Sequence, residues 1–424
     1  MARDDGALAV ANYRAAWAVL DARGPFATAV ELGRELLRGL RFDPVAELQA
    51  LRTLGQAEWY SGMSQGARAH LDAALASARA LANRDLEAQV LGDLGGMQTS
   101  QGRMDEGALQ LERALELARA LGDRHLEANT LNTLSVARRG QGRMDHARAC
   151  AESALAAARA AGDRRTEGSI LSNLGLILQD LGGNEAARAR YAEALAIHRE
   201  VGNRRQEGSA ETNLGSLCLD QGWLEDARVH LEAALAIHRE TGSRISEGIA
   251  RANLGLWHYA QGRAAEAREQ LDAALAIARE VGHRSLEGAI MRAFGVLHQD
   301  GGDLAAARGH YESALAIHRA MDDRRGEGAT LSHLASLLQR QGSVQAAREA
   351  LATGEALLRQ VEARLELGCL LCVRAEVEQG AGESVAARAA LVEAEALAAG
   401  IASGPNSELG RRLARARRML GASI

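Results

Sequence analysis

Three asparagines, Asn173, Asn213 and Asn253, stand 40 residues apart, each directly before a leucine. A carboxamide both donates and accepts hydrogen bonds. Amides repeated at a fixed spacing therefore suit the main chain of an extended partner, whose carbonyls and N–H groups recur whatever its side chains. The other reading is that the asparagine comes with a repeated unit and meets only water or a neighbouring turn. Asp180, Asp220 and Asp300 share a second register and would suit a partner with basic residues. Trp59, Tyr60 and Tyr259 are the aromatic candidates for anchoring it. Arg52, Arg139, Arg292 and Arg340 lie among these positions, so the charge there is mixed in sign, and Tyr259 is equally suited to packing between units.

Other residue sets with chemical potential lead less far. Cys369 and Cys372 form the one CxxC, which lacks a second pair for zinc and a βαβ setting for redox work, so two small buried residues are expected. His198, His238 and His318 share one register. A metal needs ligands converging on one point, whereas equivalent side chains of stacked units point in parallel, so these are read as structural. Gly62-Met63-Ser64-Gln65-Gly66 spells a nucleophile-elbow string, but that motif needs a preceding strand and here a helix is expected. All 50 basic residues are arginine, which removes lysine Schiff bases and phosphate-loop lysines. No acid, base and nucleophile assemble, His333 included, and neither an enzyme, a cofactor nor a bound metal is expected.

These residues are positioned by a repeat. Gly62, Gly102, Gly142, Gly182, Gly222, Gly262, Gly302, Gly342 and Gly382 are spaced 40 apart without an insertion. Five positions after each comes a small residue, from Ala67 to Ala387. Eight before comes an apolar one, from Leu54 to Leu334, with Arg374 breaking the row. Between these marks apolar residues recur every three or four positions, so each unit reads as two amphipathic helices. A second row, Gly122 to Gly282, ends the second helix. Asp123, Asp163, Asn203 and Asp323 are expected N-caps, and Glu127, Glu167, Glu207, Glu247, Glu287 and Glu327 fall in the next first turn, where the helix dipole favours an anion. Arg68 and its equivalents in seven other units read as scaffold, since a residue present in nearly every unit singles out no site.

Leu171, Leu174, Gly175, Leu178, Gly182, Ala187, Tyr191 and Ala194 carry a resemblance to tetratricopeptide repeats, over about 48–407. The 40-residue period is similar to that of kinesin light chains, Pins-like polarity adaptors and the sensor arms of bacterial signalling proteins. The chain departs from the family in having Arg199, Arg239 and Arg319 where a proline would end the second helix, so that helix is expected to run on. A HEAT-like array is the competing fold. The resemblance implies an all-α, right-handed superhelical solenoid whose inner wall is made by the first helices, and an asparagine there that holds a bound peptide.

The expected organisation is a degenerate helix pair over 1–47, split near Gly24-Pro25, then nine repeats over 48–407, then a capping helix over 408–424 with Leu409, Leu413 and Leu420 on its apolar stripe. Hydrophobic residues make up 47% of the 424, which supports a sizeable core, while 12 aromatics and 3 prolines argue against a β-sandwich. A net charge of −5 speaks against nucleic acid as the partner, and no apolar run or leader for a membrane is visible. Four unevenly spaced cysteines fit a reducing compartment, and a bacterial cytoplasmic protein is expected. The function expected is a non-enzymatic scaffold holding a peptide or protein segment in its concave groove. The alternative is a ligand- or partner-sensing arm of a bacterial signalling ATPase, kinase or transcription regulator. Self-association is left open.

Overall fold

A computed structural model describes residues 2–23, 26–39, 41–401 and 403–421. The expected split at Gly24-Pro25 lies outside them. Among the described residues there are 21 helices and no strand. The first pair is α1 (Ala2–Arg23) and α2 (Phe26–Gly39). Next come α3 (Pro44–Tyr60) with α4 (Ser64–Ala80), α5 (Arg84–Ser100) with α6 (Met104–Leu121), and α7 (Arg124–Gly140) with α8 (Met144–Ala161). They are followed by α9 (Arg164–Asp180) with α10 (Asn184–Glu200), α11 (Arg204–Asp220) with α12 (Leu224–Glu240), and α13 (Arg244–Ala260) with α14 (Ala264–Glu280). Then come α15 (Arg284–Asp300) with α16 (Leu304–Ala320), α17 (Arg324–Arg340) with α18 (Val344–Gln360), and α19 (Arg364–Gly380) with α20 (Ser384–Gly400). The last helix is α21 (Glu408–Leu420). Arg199, Arg239 and Arg319 lie within α10, α12 and α16, each one residue before the helix ends. No helix of the described residues is long and apolar enough to cross a membrane.

The punctuation of the sequence closes these helices. Gly102 has φ 80°, which lets Arg103 N donate to Gln98 O at 3.0 Å and so satisfies a carbonyl of the last turn. The other eight glycines of that row also have positive φ. Asp123, Asp163, Asn203 and Asp323 each accept from the backbone N–H three residues on, at 2.8–3.3 Å. The first-turn glutamates gain more than the dipole. Glu167 receives Arg159 and Arg164, both at 2.7 Å, and Glu127, Glu207 and Glu287 are held by arginines at the same two offsets. Within a pair, the second-helix alanines such as Ala227 and Ala267 are wholly buried. A Cβ on Gly255 would lie 2.8 Å from Leu271 Cγ and 3.2 Å from the Ala267 carbonyl, so glycine lets the helices approach.

The contacts divide the chain into two compact units, the boundary running through α9 to α12. The first holds Met1–Leu174, Glu193–Glu207 and Glu240–Ser243. In it α1 and α2 pack on α3 through Val10, Trp17, Ala29, Val30, Leu54 and Ala57. Asp21 of α1 also reaches far along the chain, accepting from Arg165 Nη2 and Arg205 Nη2, each at 3.1 Å.

The second unit holds Gly175–Ala192, Gly208–Arg239 and Arg244–Ile424. Its first helices touch from pair to pair, α13 to α15 to α17 to α19. They form one continuous wall. Helix α21 packs on α19 and α20 with Leu409, Leu413 and Ala416 buried. The segment leading into it crosses to the turns at Gly182 and Gly222. Asn184 Nδ2 donates to Ile401 O at 3.1 Å, and a Cβ on Gly222 would overlap Asn406. We call residues 401 and 403–407 the strap.

Candidate functional site

In the first unit, Asn173 is half-buried and donates to Asn132 Oδ1 at 2.9 Å. Trp59 stacks on Tyr60 with centroids 4.9 Å apart and gives its indole N–H to Ser100 Oγ at 3.0 Å. Tyr60 packs with Trp17 and Phe26, and the Arg205 guanidinium covers its ring at 5.5 Å. The two aromatics expected to anchor a partner are thus joined to the chain's own first helix pair, although Tyr60 keeps 40% of its surface exposed.

In the second unit, Asn213 and Asn253 are half-buried on α11 and α13, and neither makes a side-chain hydrogen bond among the described residues. Tyr259 donates its hydroxyl to Asp300. Asp180 is not an open carboxylate for a basic partner, because Arg325 Nη1 of the same chain binds it at 3.0 Å. Asp220 accepts from Gln179 Nε2 at 3.1 Å and has no cation within ion-pair distance among the described residues. Burial, with Glu408 and Glu366 nearby, pushes its carboxyl up to about 7, against the opposing pull of Arg325.

A cavity of about 330 Å³ opens on this wall beneath α21. Its charged lining is largely matched internally. Arg325 Nε binds Glu366 at 2.7 Å, Arg412 Nη2 binds Glu408 at 2.8 Å, and His318 Nδ1 meets Asp323 at 2.8 Å. His333 also lines it, stacked on Tyr311 at 5.9 Å, and burial beside Arg412 and Arg292 drives its imidazole down to about 3. It is neutral at physiological pH. Four lining atoms are buried without a hydrogen-bond partner, namely Arg292 Nε, His318 Nε2, Ser332 Oγ and Glu366 Oε2. Arg292 has no carboxylate within ion-pair distance among the described residues. Such orphaned groups are costly unless something else meets them.

Sequence reasoning placed Arg292 and Asp220 in the groove but gave no role to Ser332, Glu366, Glu408 or Arg412 in a site. The available signal was the loss of period after Pro405, which frees α21 to lie over the wall as well as on the last repeat. His198 and His238 are fully buried, and burial pushes both imidazoles down to about 4. Cys369 and Cys372 are buried and reduced, and burial raises both thiols, Cys372 to about 12. Ser64 is an exposed residue opening α4. Among the described residues no three His, Cys, Asp or Glu side chains gather as a metal set.

The comparisons bear on the repeat itself. A profile described as tetratricopeptide repeat matches residues 86–160, 166–240 and 247–320. No curated protein matches the chain. Among solved structures, a Rap protein complexed with Competence and Sporulation Factor is similar at 13% identity and a TM-score of 0.55, over 80% of this chain and 99% of that one. Aspartyl phosphate phosphatase F from Bacillus subtilis aligns at 15% identity and a TM-score of 0.51, over 94% of both chains. A putative kinesin light chain of Podosopora anserina aligns at 18% identity and a TM-score of 0.38, over 46% of this chain and 95% of that one.

Proposed function

The chain belongs to the tetratricopeptide repeat family, and we propose that it is a protein-interaction scaffold whose first-helix wall in the second unit receives an extended peptide or protein segment. The observation that carries this reading is the pair Asn213 and Asn253. They occupy equivalent places on successive first helices, and their amides make no side-chain hydrogen bond among the described residues. An amide left half-exposed on such a wall can both donate to a carbonyl and accept from an N–H of a partner backbone. Asn173 differs in being bonded to Asn132, and it is not part of this proposed contact. Tyr259 and Asp300, already bonded to each other, stand as a positioned pair for side-chain selection.

Display selection from a random peptide library on the intact chain tests the reading, followed by affinity measurements on Asn213→Ala and Asn253→Ala. Each substitution is expected to weaken a selected peptide by roughly 0.5–1.5 kcal/mol, the net worth of one ordinary hydrogen bond, with the melting temperature nearly unchanged. Unchanged affinity in the double variant removes the asparagines from the contact.

A further inference from the structure

We infer that the cavity beneath α21 binds a free α-amino acid, its carboxylate on Arg292 and Ser332 and its ammonium on Asp220 and Glu366. With Arg325 bound to Glu366, Arg412 to Glu408, and Asp323 hydrogen-bonded to His318 Nδ1, one lining cation, Arg292, and one lining acid, Asp220, have no ion-pair partner among the described residues. Both line the same cavity, yet they lie too far apart to pair with each other. A purely anionic ligand would satisfy Arg292 and strand Asp220, and a purely cationic one would do the reverse. A molecule carrying both charges answers both residues.

Three of the four orphaned lining atoms, all but His318 Nε2, divide in the same way. Arg292 Nε and Ser332 Oγ are donors without an acceptor, which a carboxylate supplies. Glu366 Oε2 is an acceptor without a donor, because the other oxygen of that carboxylate takes Arg325, and an ammonium brings three donors. Leu256, Ala289, Ala329 and Leu365 complete the lining with apolar surface for a side chain. At about 330 Å³ the cavity is of the size that holds a small molecule such as an amino acid. This site shares no residue with Asn213 and Asn253, so it stands or falls separately from the proposed peptide contact.

A proton should accompany binding. Asp220 faces Gln179 from α9, Arg325 from α17, Glu366 from α19 and Glu408 from α21, and with its carboxyl raised to about 7 it is about half protonated at neutral pH. An ammonium beside it favours the carboxylate and expels that proton.

The test is calorimetric titration of the full chain with each of the twenty common L-α-amino acids. At least one is expected to give saturable heat, with about half a proton released at pH 7 in buffers of different ionisation enthalpy and tighter binding at pH 8 than at pH 6. Arg292→Gln and Asp220→Asn should each weaken it about tenfold or more. The same loss is expected on the unaltered chain when the ligand is replaced by its deaminated acid or its decarboxylated amine, which keeps the test valid if a variant misfolds. Absence of saturable heat from all twenty, or undiminished binding of both analogues, overturns the inference.

Discussion

His198 is buried with neither ring nitrogen hydrogen-bonded, and the buried His238 meets Thr212 Oγ1 through Nε2 at 2.9 Å. Both imidazoles are pushed down to about 4 by burial, from an ordinary value of 6.5. The folded state therefore prefers them neutral. Their contribution is intact above pH 6.5 and is lost as pH falls toward 4, because the unfolded chain takes up protons first. The melting temperature is expected to drop across that window, and His198→Leu should flatten the drop in a pH series of thermal scans, since an apolar side chain needs no partner there. Asp220 acts in the opposite direction. Its folded pKa is raised to about 7 from 3.8, so the cost of ionising it grows as pH rises through that interval and is complete above 7. Asp220→Asn should stabilise the chain by on the order of 1–3 kcal/mol at pH 8 and by much less at pH 4, read by urea denaturation at the two values.

Between residues and the whole lie the helices and their turns, where the sequence is most legible. The row from Gly62 to Gly382 marks nine left-handed turn positions, and every one has positive φ. The second row is subtler, because glycine occupies only part of it. Ala82, Asp322 and Glu362 hold the equivalent places and are forced to φ 51° by the same turn. An L-residue in that conformation is disfavoured by roughly 1–2 kcal/mol, partly offset by the entropy that glycine loses on folding. Ala82→Gly and Glu362→Gly are each expected to stabilise by about 0.5–1 kcal/mol, seen as a higher denaturation midpoint with unchanged slope. Gly255→Ala should do the reverse, by about 1–3 kcal/mol, because the added methyl would press on Leu271 and the Ala267 carbonyl. Periodicity could reveal these positions because each obeys a rule that every repeat shares. It could not reveal the cavity, because Glu366, Glu408 and Arg412, which line it beside the repeated Asp220, His318 and Asp323, stand where no repeated register marks them. The arginine doublets show the distinction. Arg164, Arg204 and Arg324 belong to a row present in every repeat from Arg84 onward, and the first two hold the local first-turn glutamates. Their neighbours Arg165, Arg205 and Arg325 stand at a position that varies, with Asp85, His125, Ile245, Ser285 and Leu365 in the other repeats, and they reach distant residues.

At the scale of the chain, a repeat array whose units touch only their neighbours unfolds from its ends, because a terminal pair has half the contacts of an interior one. Each compact unit here contains a tie that breaks this locality. In the second it is the strap, through Asn184 and Ile401, together with Arg325 on Asp180. In the first it is Asp21, whose side chain takes both Arg165 and Arg205 and whose backbone carbonyl accepts a further bond from Arg205 Nε at 2.8 Å. One carboxylate shared by two partly exposed guanidiniums contributes no more than about 1 kcal/mol per pair to global stability. Its larger effect should be on where unfolding begins. With the tie intact, opening α1 and α2 requires releasing contacts on α9 and α11 as well as those on α3. Asp21→Asn retains the shape of the side chain and removes its charge, so the global denaturation midpoint should move little. Amide exchange in α1 and α2, followed by mass spectrometry, should quicken severalfold, while exchange in α5 to α8 stays as it was. Equal exchange in the variant and the unaltered chain would mean that packing through Trp17, Val30 and Leu54 alone secures the first pair, and that the acid and its two arginines are bystanders.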